Sequence, residues 1–242
     1  MFNRAARLAG AAAVVLPTLV LFSATAEAAG VGASTTSSVL TAAKSAIGHQ
    51  TSVHLAVRST TTSSSVEENL QADLGKTSGI ESISEGTETV MVKLTPSYAY
   101  LSGDSSGLTK IFGMTAAQAK QVGRDWVSAK AGTNQYKDVA ISLTISSLAG
   151  ILPAAKGTQL YKPAPPSKKL YTLKWATAAT SSEPALTATL TLSAVGATLP
   201  VEETTTAVGE GKQTLDLSKW GEHLVVKAPP AGSIIPLAKI TG

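Results

Sequence analysis

Period-two alternation is the feature that most restricts what this chain can fold into. Val53, Leu55 and Val57 alternate with His54, Ala56 and Arg58; Leu70, Ala72 and Leu74 alternate with Asn69, Gln71 and Asp73. Val90, Val92 and Leu94 alternate with Thr89, Met91 and Lys93, and Tyr98 and Tyr100 with Ala99 and Leu101. The last third repeats the habit over Leu170 to Trp175, Ala185 to Val195, Leu199 to Val208 and Lys212 to Leu217. Leu186, Ala188, Leu190 and Leu192 share one parity there, and Thr187, Thr189, Thr191 and Ser193 the other. Successive strand side chains point to opposite faces, so these runs predict antiparallel strands with one buried face.

Helical spacing interrupts the strands twice. Val39, Leu40, Ala43, Ala46 and Ile47 follow a Ser37-Ser38 cap signal, and Gly48 offers a stop. In the middle, Leu108, Ile111 and Phe112 predict a turn or two ending at Gly113. Thr115-Ala116-Ala117-Gln118 reads as a capping box opening a second short helix. Trp126-Val127 reads as extended, and Thr144 as the cap of a third helix that carries Ile145, Leu148, Ile151 and Leu152 and ends at Pro153. Pro163-Ala164-Pro165-Pro166 predicts a stiff linker. Helix, strands, helices, strands is an α+β order with an antiparallel sheet, without alternating βαβ units.

Residues 1–28 read as an export signal. Arg4 and Arg7 precede an apolar stretch from Leu8 to Phe22, and Ala26-Glu27-Ala28 is a small-x-small cleavage site. The competing reading is an uncleaved anchor, since Leu8 to Ala26 approaches the ~20 residues a bilayer needs; Pro17 and the cleavage site favour removal. Residues 29–36 read as a tether, and 37–242 as a single domain outside the cytoplasmic membrane, secreted or associated with the cell envelope. Removing Arg4, Arg7 and Glu27 leaves 18 basic and 15 acidic residues. Only Lys168-Lys169 are adjacent and aromatics are 5% of residues, so no nucleic-acid partner is expected. The chain has no cysteine. That excludes thiol catalysis, cysteine zinc sites and a lipidated N-terminal cysteine.

Catalytic signals are thin. Gly103-Asp104-Ser105-Ser106-Gly107 fits G-x-S-x-G, and Asp216 and His223 follow in a usable order. The parallel sheet that supports such an elbow is not foreseen, so Ser105 reads as part of a turn and no catalytic residue is assigned. His49, His54 and His223 share no spacing that builds a metal site. No phosphate-binding or dinucleotide loop occurs, so no metal or cofactor is expected. Glu67-Glu68 and Glu202-Glu203 read as solvated pairs, and Trp126, Trp175 and Trp220 as packing residues.

Several short stretches, in order, resemble the LppX/LprG (LprA, LprF) group of actinobacterial exported lipoproteins. They are Thr51-Ser52-Val53-His54-Leu55, Tyr98-Ala99-Tyr100-Leu101, Trp126-Val127, Leu143 to Leu148, Leu199-Pro200-Val201, Ser218-Lys219-Trp220-Gly221 and Val225 to Pro230. The chain departs from that group in lacking the lipobox cysteine. The resemblance implies a LolA-like half-barrel, a curved antiparallel sheet over a few short helices with an apolar cavity between them. It also implies acyl chains of lipids or glycolipids as partners, with contact at a membrane surface. The expected lining is Val53, Leu55, Val57, Val90, Val92, Ile145, Leu148, Leu186, Leu190 and Leu192. If the cavity is open, Leu190→Trp fills ligand space and leaves stability little changed; that is the expectation. The alternatives are a cell-envelope scaffold with a filled core and, remotely, a serine hydrolase at Ser105.

Overall fold

The computed structural model describes residues 35–62, 67–161, 169–180 and 184–241. The export signal, nearly all of the tether and the Pro163–Pro166 linker lie outside these residues.

Helix α1 (Thr36–His49) opens the described chain. Its cap is Thr35, two residues before the expected serine. Thr35 and Ser38 satisfy each other's backbone N–H groups in a capping box, which the Ser37-Ser38 reading overlooked. The helix runs through Gly48 to His49, and Gln50 ends it. Val39, Leu40, Ala43 and Ile47 form its buried stripe.

Strands β1 (Ser52–Thr61), β2 (Glu68–Gly75), β3 (Gly79–Glu85), β4 (Glu88–Leu94) and β5 (Tyr98–Gly103) then form a meander. Helices α2 (Ser105–Lys110) and α3 (Ala116–Val122) follow, with the foreseen Thr115–Gln118 capping box in place. Strand β6 (Trp126–Lys130) returns to the sheet, and helix α4 (Asn134–Ser142) leaves it again, capped by Thr133. The expected helix after Thr144 is a 3₁₀ segment, Ile145–Ile151. Thr144 does not cap it. Its hydroxyl donates backwards to the Ala140 carbonyl at 2.9 Å.

The second half supplies β7 (Gln159–Tyr161), β8 (Leu170–Thr177), β9 (Leu186–Ser193), β10 (Pro200–Ala207) and β11 (Gly211–Ser218), and then the short β12 (Ile234–Pro236). All twelve strands join one sheet in the order β12-β6-β5-β4-β3-β2-β1-β11-β10-β9-β8-β7. Every pairing is antiparallel except β12 with β6. β7 and β12 are not paired to each other, so the curved sheet stays open.

The helices cover one face of the sheet. A large core joins Ile47, α2–α4 residues such as Leu108, Val122 and Val139, and the 3₁₀ residues Ile145 and Leu148 to the inner positions of β1–β6. A small core joins Val39, Leu40 and Ala43 of α1 to Leu173, Leu190 and Leu192. Among the described residues, no helix is long and apolar enough to cross a membrane.

Candidate functional site

Pairing register turns strand parity into a map of the inner face. One rung across the sheet reads Leu160, Leu173, Leu190, Glu203, Leu215, Val57, Leu70, Ile83 and Val90. Both ends of this rung are packed: Leu173, Leu190 and Val90 are each 0% exposed. Its middle is not. Glu203, Leu215, Val57 and Leu70 are only half-buried; Val57, Leu70 and Leu215 pack at the edge of the large core, and Glu203 pairs with Leu190 of the small one. Among the described residues, the inner face is therefore least covered where β10, β11, β1 and β2 meet, and this strip is the floor of a trough in the curved sheet.

The trough is graded along the strands. Toward one end its rung is apolar, with Tyr171, Leu192, Leu217, Leu55 and Ala72. Toward the other it is polar, with Thr205, Gln213, Ser59, Glu68 and Glu85 in successive strands. Gln213 donates a side-chain hydrogen bond to Ser59 Oγ at 3.2 Å. Trp175, paired with Ala188, closes this rung on β8 and packs on the small core. Thr61 Oγ1, on the same face, is buried and has no hydrogen-bond partner.

Carboxylates stand in this face as well: Glu203 on β10, Glu68 on β2, and Glu81 and Glu85 on β3. Burial among Leu190, Leu215 and their neighbours pushes the Glu203 acid up to about 7, because the charged form loses water it cannot replace. Burial also raises the Glu68 acid, and repulsion from Glu85 adds to it. The Glu67-Glu68 and Glu202-Glu203 pairs are thus not uniformly solvated. Glu67 and Glu202 are exposed, whereas their neighbours turn inward. At β10 the cause is a bulge at Val201. Pro200 pairs with Leu192 and Glu202 with Thr191, which sends Glu203 to the inner face.

All ten residues expected to line a cavity belong to the helix-facing layer. Val53, Leu55, Val90, Val92, Ile145, Leu148, Leu190 and Leu192 are buried in the two cores. Val57 and Leu186 are half-buried. Leu190 sits under α1 with no free surface, so the stability expectation for Leu190→Trp reverses: an indole there overpacks. Alternation alone did not single out Leu70, Leu215, Glu203 or Glu68 as trough residues.

The G-x-S-x-G stretch is a helix start. Asp104 is the N-cap of α2, accepting from Gly107 N at 2.7 Å and Thr89 N at 2.6 Å. Those N–H groups hold its acid below the ordinary value. The glycines answer to close approach: a Cβ on Gly103 would lie 2.4 Å from Val90 Cγ1, and one on Gly107 2.9 Å from the Thr89 carbonyl. Asp216 is bound to Arg58 at 2.8 Å. His223 lines a polar pocket of about 160 Å³ on the outer face with Ser52, His54, Asp73, Lys219 and Glu222. Ser52 and Ser59 mark the opposite ends of β1, and the α2 start lies at the Ser59 end. Roughly 20 Å of strand therefore separates Ser105 from His223. No Ser–His–Asp constellation forms.

The histidines stay apart in role. His54 Nδ1 meets Asp73 Oδ1 at 2.7 Å, and His49 ends α1. Among the described residues no cluster of histidine and carboxylate side chains could hold a metal. Trp126 lies under Lys93 Nζ, 4.7 Å from the ring centre, and Trp220 Nε1 donates to the Pro200 carbonyl at 3.0 Å. Another cleft, of about 750 Å³, opens beside β12 and is lined by Tyr98, Tyr100, Lys130, Ile234, Pro236 and Leu237 among others.

No family model matches the chain, and no curated protein matches it. Solved structures do. Lipoprotein LppX of Mycobacterium tuberculosis aligns over 79% of this chain and 99% of its own, at 16% identity and a TM-score of 0.49. LprF of Mycobacterium bovis aligns over 80% of this chain and 96% of its own, at 13% identity and a TM-score of 0.53. At these identities the likeness is one of architecture: the chain has the α+β fold of LprF, a wide open antiparallel sheet with its helices gathered against one face.

Proposed function

We propose that the chain is a noncatalytic, extracytoplasmic lipid-binding or lipid-transfer protein that holds acyl chains in the trough. The observation that carries this reading is the half-buried strip of Val57, Leu70 and Leu215 at the edge of the large core. A chain that leaves apolar side chains half-buried on the inner wall of a curved sheet has a place for an apolar ligand. Each methylene moved from water onto such a wall gains about 0.8 kcal/mol, enough to make a long acyl chain a favourable occupant. Val57 and Leu186 supply ligand contact. The eight buried residues of the expected lining back the wall. Export and loading at a membrane surface belong to the same reading, supported by the leader sequence and by the fold shared with LprF.

Mass spectrometry of organic extracts from protein purified out of its native host tests this directly. Stoichiometric acyl lipid is expected, together with binding of a fluorescent acyl probe by the stripped protein. Val57→Trp should abolish probe binding while the fold is retained. Absence of both lipid and probe binding in the unmodified chain would sink the reading. It would leave the scaffold alternative, for which the open cleft beside β12 is the surface.

A further inference from the structure

We propose that Glu203 is a specificity-determining residue of the trough, turning away lipids with a negatively charged head and favouring heads that are uncharged and donate hydrogen bonds. This rests on the lipid-carriage reading and concerns the same site.

The argument starts from which charges face inward. On the six strands that floor the trough, β8 to β11 with β1 and β2, every lysine and arginine of the described residues takes the outward register. Arg58 pairs with Asp216, Lys174 lies over the Tyr161 ring, and Lys212 is exposed opposite Thr60. The inward positions of these strands are apolar, hydroxyl, amide or carboxylate. Glu203 stands among them between Leu190 and Leu215, and Glu68 follows on the polar rung beside Ser59. A lipid whose chain lies over the half-buried Val57, Leu70 and Leu215 brings its head within reach of Glu203 and of the neighbouring Thr205 and Gln213.

A carboxylate or phosphate head at that position meets a carboxylate in a poorly solvated wall, and among the described residues no lysine or arginine of these six strands faces inward to offset it. A hydroxyl head meets an acceptor instead, since an ionised carboxylate accepts only. Burial raises the Glu203 acid to about 7, so the group is mainly ionised at pH 8.

The test uses the full chain at pH 8 with an uncharged polarity-sensitive dye, 1-N-phenylnaphthylamine, in the trough. Two ligands of equal chain length displace it: monolauroylglycerol, with an uncharged diol head, and dodecanoate. The unmodified protein is expected to favour the glycerol ester by at least about tenfold. Glu203→Gln should raise dodecanoate affinity to within about twofold of the ester and leave the ester unchanged, while Glu203→Asp should keep the discrimination. Equal affinities in the unmodified protein would overturn the inference and leave lipid carriage standing. A preference that survives in both Glu203→Gln and the Glu203→Gln/Glu68→Gln double variant would also overturn it. Dye that never binds removes lipid carriage and this inference together. The unmodified protein's ratio needs no variant to fold, so it decides even if a substitution unfolds the chain.

Discussion

The two ends of the sheet are built to different specifications. Over β1–β6, inner side chains meet α2, α3, α4 and the 3₁₀ segment, and Val90, Leu94 and Leu108 reach 0% exposure. One void there, between β5 and α4, measures about 20 Å³. Over β8–β11 the helical cover is α1, and the small core gathers six buried residues. The lesson is that the described chain places three of its four α-helices and the Ile145–Ile151 3₁₀ segment between β5 and β7, where they dock onto the strands just made. Among the described residues, the later strands extend the same sheet with fewer helices against them. One side of the inner face is tightly packed, and the other carries a smaller core.

The contrast can be broken by measurement. Leu94→Ala should show the largest effect, a loss of about 2–5 kcal/mol in urea unfolding, because a fully packed site collapses poorly around a cavity. Leu215→Ala, on the half-buried strip, should lose no more than about 1 kcal/mol and weaken acyl-probe binding. Equal losses would show that the two regions are packed alike. Next, Leu190→Trp should cost roughly 1–3 kcal/mol by overpacking against α1, whereas Val57→Trp should change stability little and displace the probe.

The Glu203→Gln comparison sharpens the contrast through pH. The folded-state acid, at about 7, lies above the ordinary 4.5, so the native chain holds this proton longer than the unfolded one. The stability tied to it is full below about pH 4.5 and is lost as pH rises through 7. Glu203→Gln should therefore gain roughly 1–2 kcal/mol over the unmodified protein at pH 8, allowing for solvent screening, and nothing at pH 4. A gain that is the same at both pH values would detach it from this proton. The smallest effect belongs to Thr35→Ala, which should cost about 1 kcal/mol by uncapping α1. Because α1 supplies three of the six buried residues of the small core, hydrogen exchange in β9 should speed up more than in β4.

How much of this was legible in the residues depended on phase. β1, β2, β4 and β9 announced themselves because their apolar residues occupy one parity. β3 did not, although it lies in the middle of the meander. Its inward positions are Gly79, Glu81, Ile83 and Glu85, while Ile80 points outward, so its two isoleucines fall three apart and mimic no strand. Gly79 is needed where it is, since a Cβ there would lie 2.3 Å from the Leu143 carbonyl. α4 was missed because Val139 is its single buried residue, although Thr133 carried a cap signal. β12 was too short to show a period. The trough's carboxylates were hidden for another reason. An adjacent Glu-Glu pair puts one member on each face, and the Val201 bulge decides which. Such a shift depends on pairing partners far along the chain.

The seam between β1 and β11 has a consequence for the order of folding. Val57 and Leu215 face each other there although most of the described chain lies between them. The meander β1–β5 is made of local hairpins, which close early and at low entropic cost; the β1–β11 pairing closes a very long loop and must come late. The trough floor spans this seam. It does not exist on a half-folded chain, however well β1–β6 has already packed. On the proposed lipid-binding reading, acquisition of cargo is timed by topology: a nascent molecule would have no acyl site to fill until its last long strand had arrived.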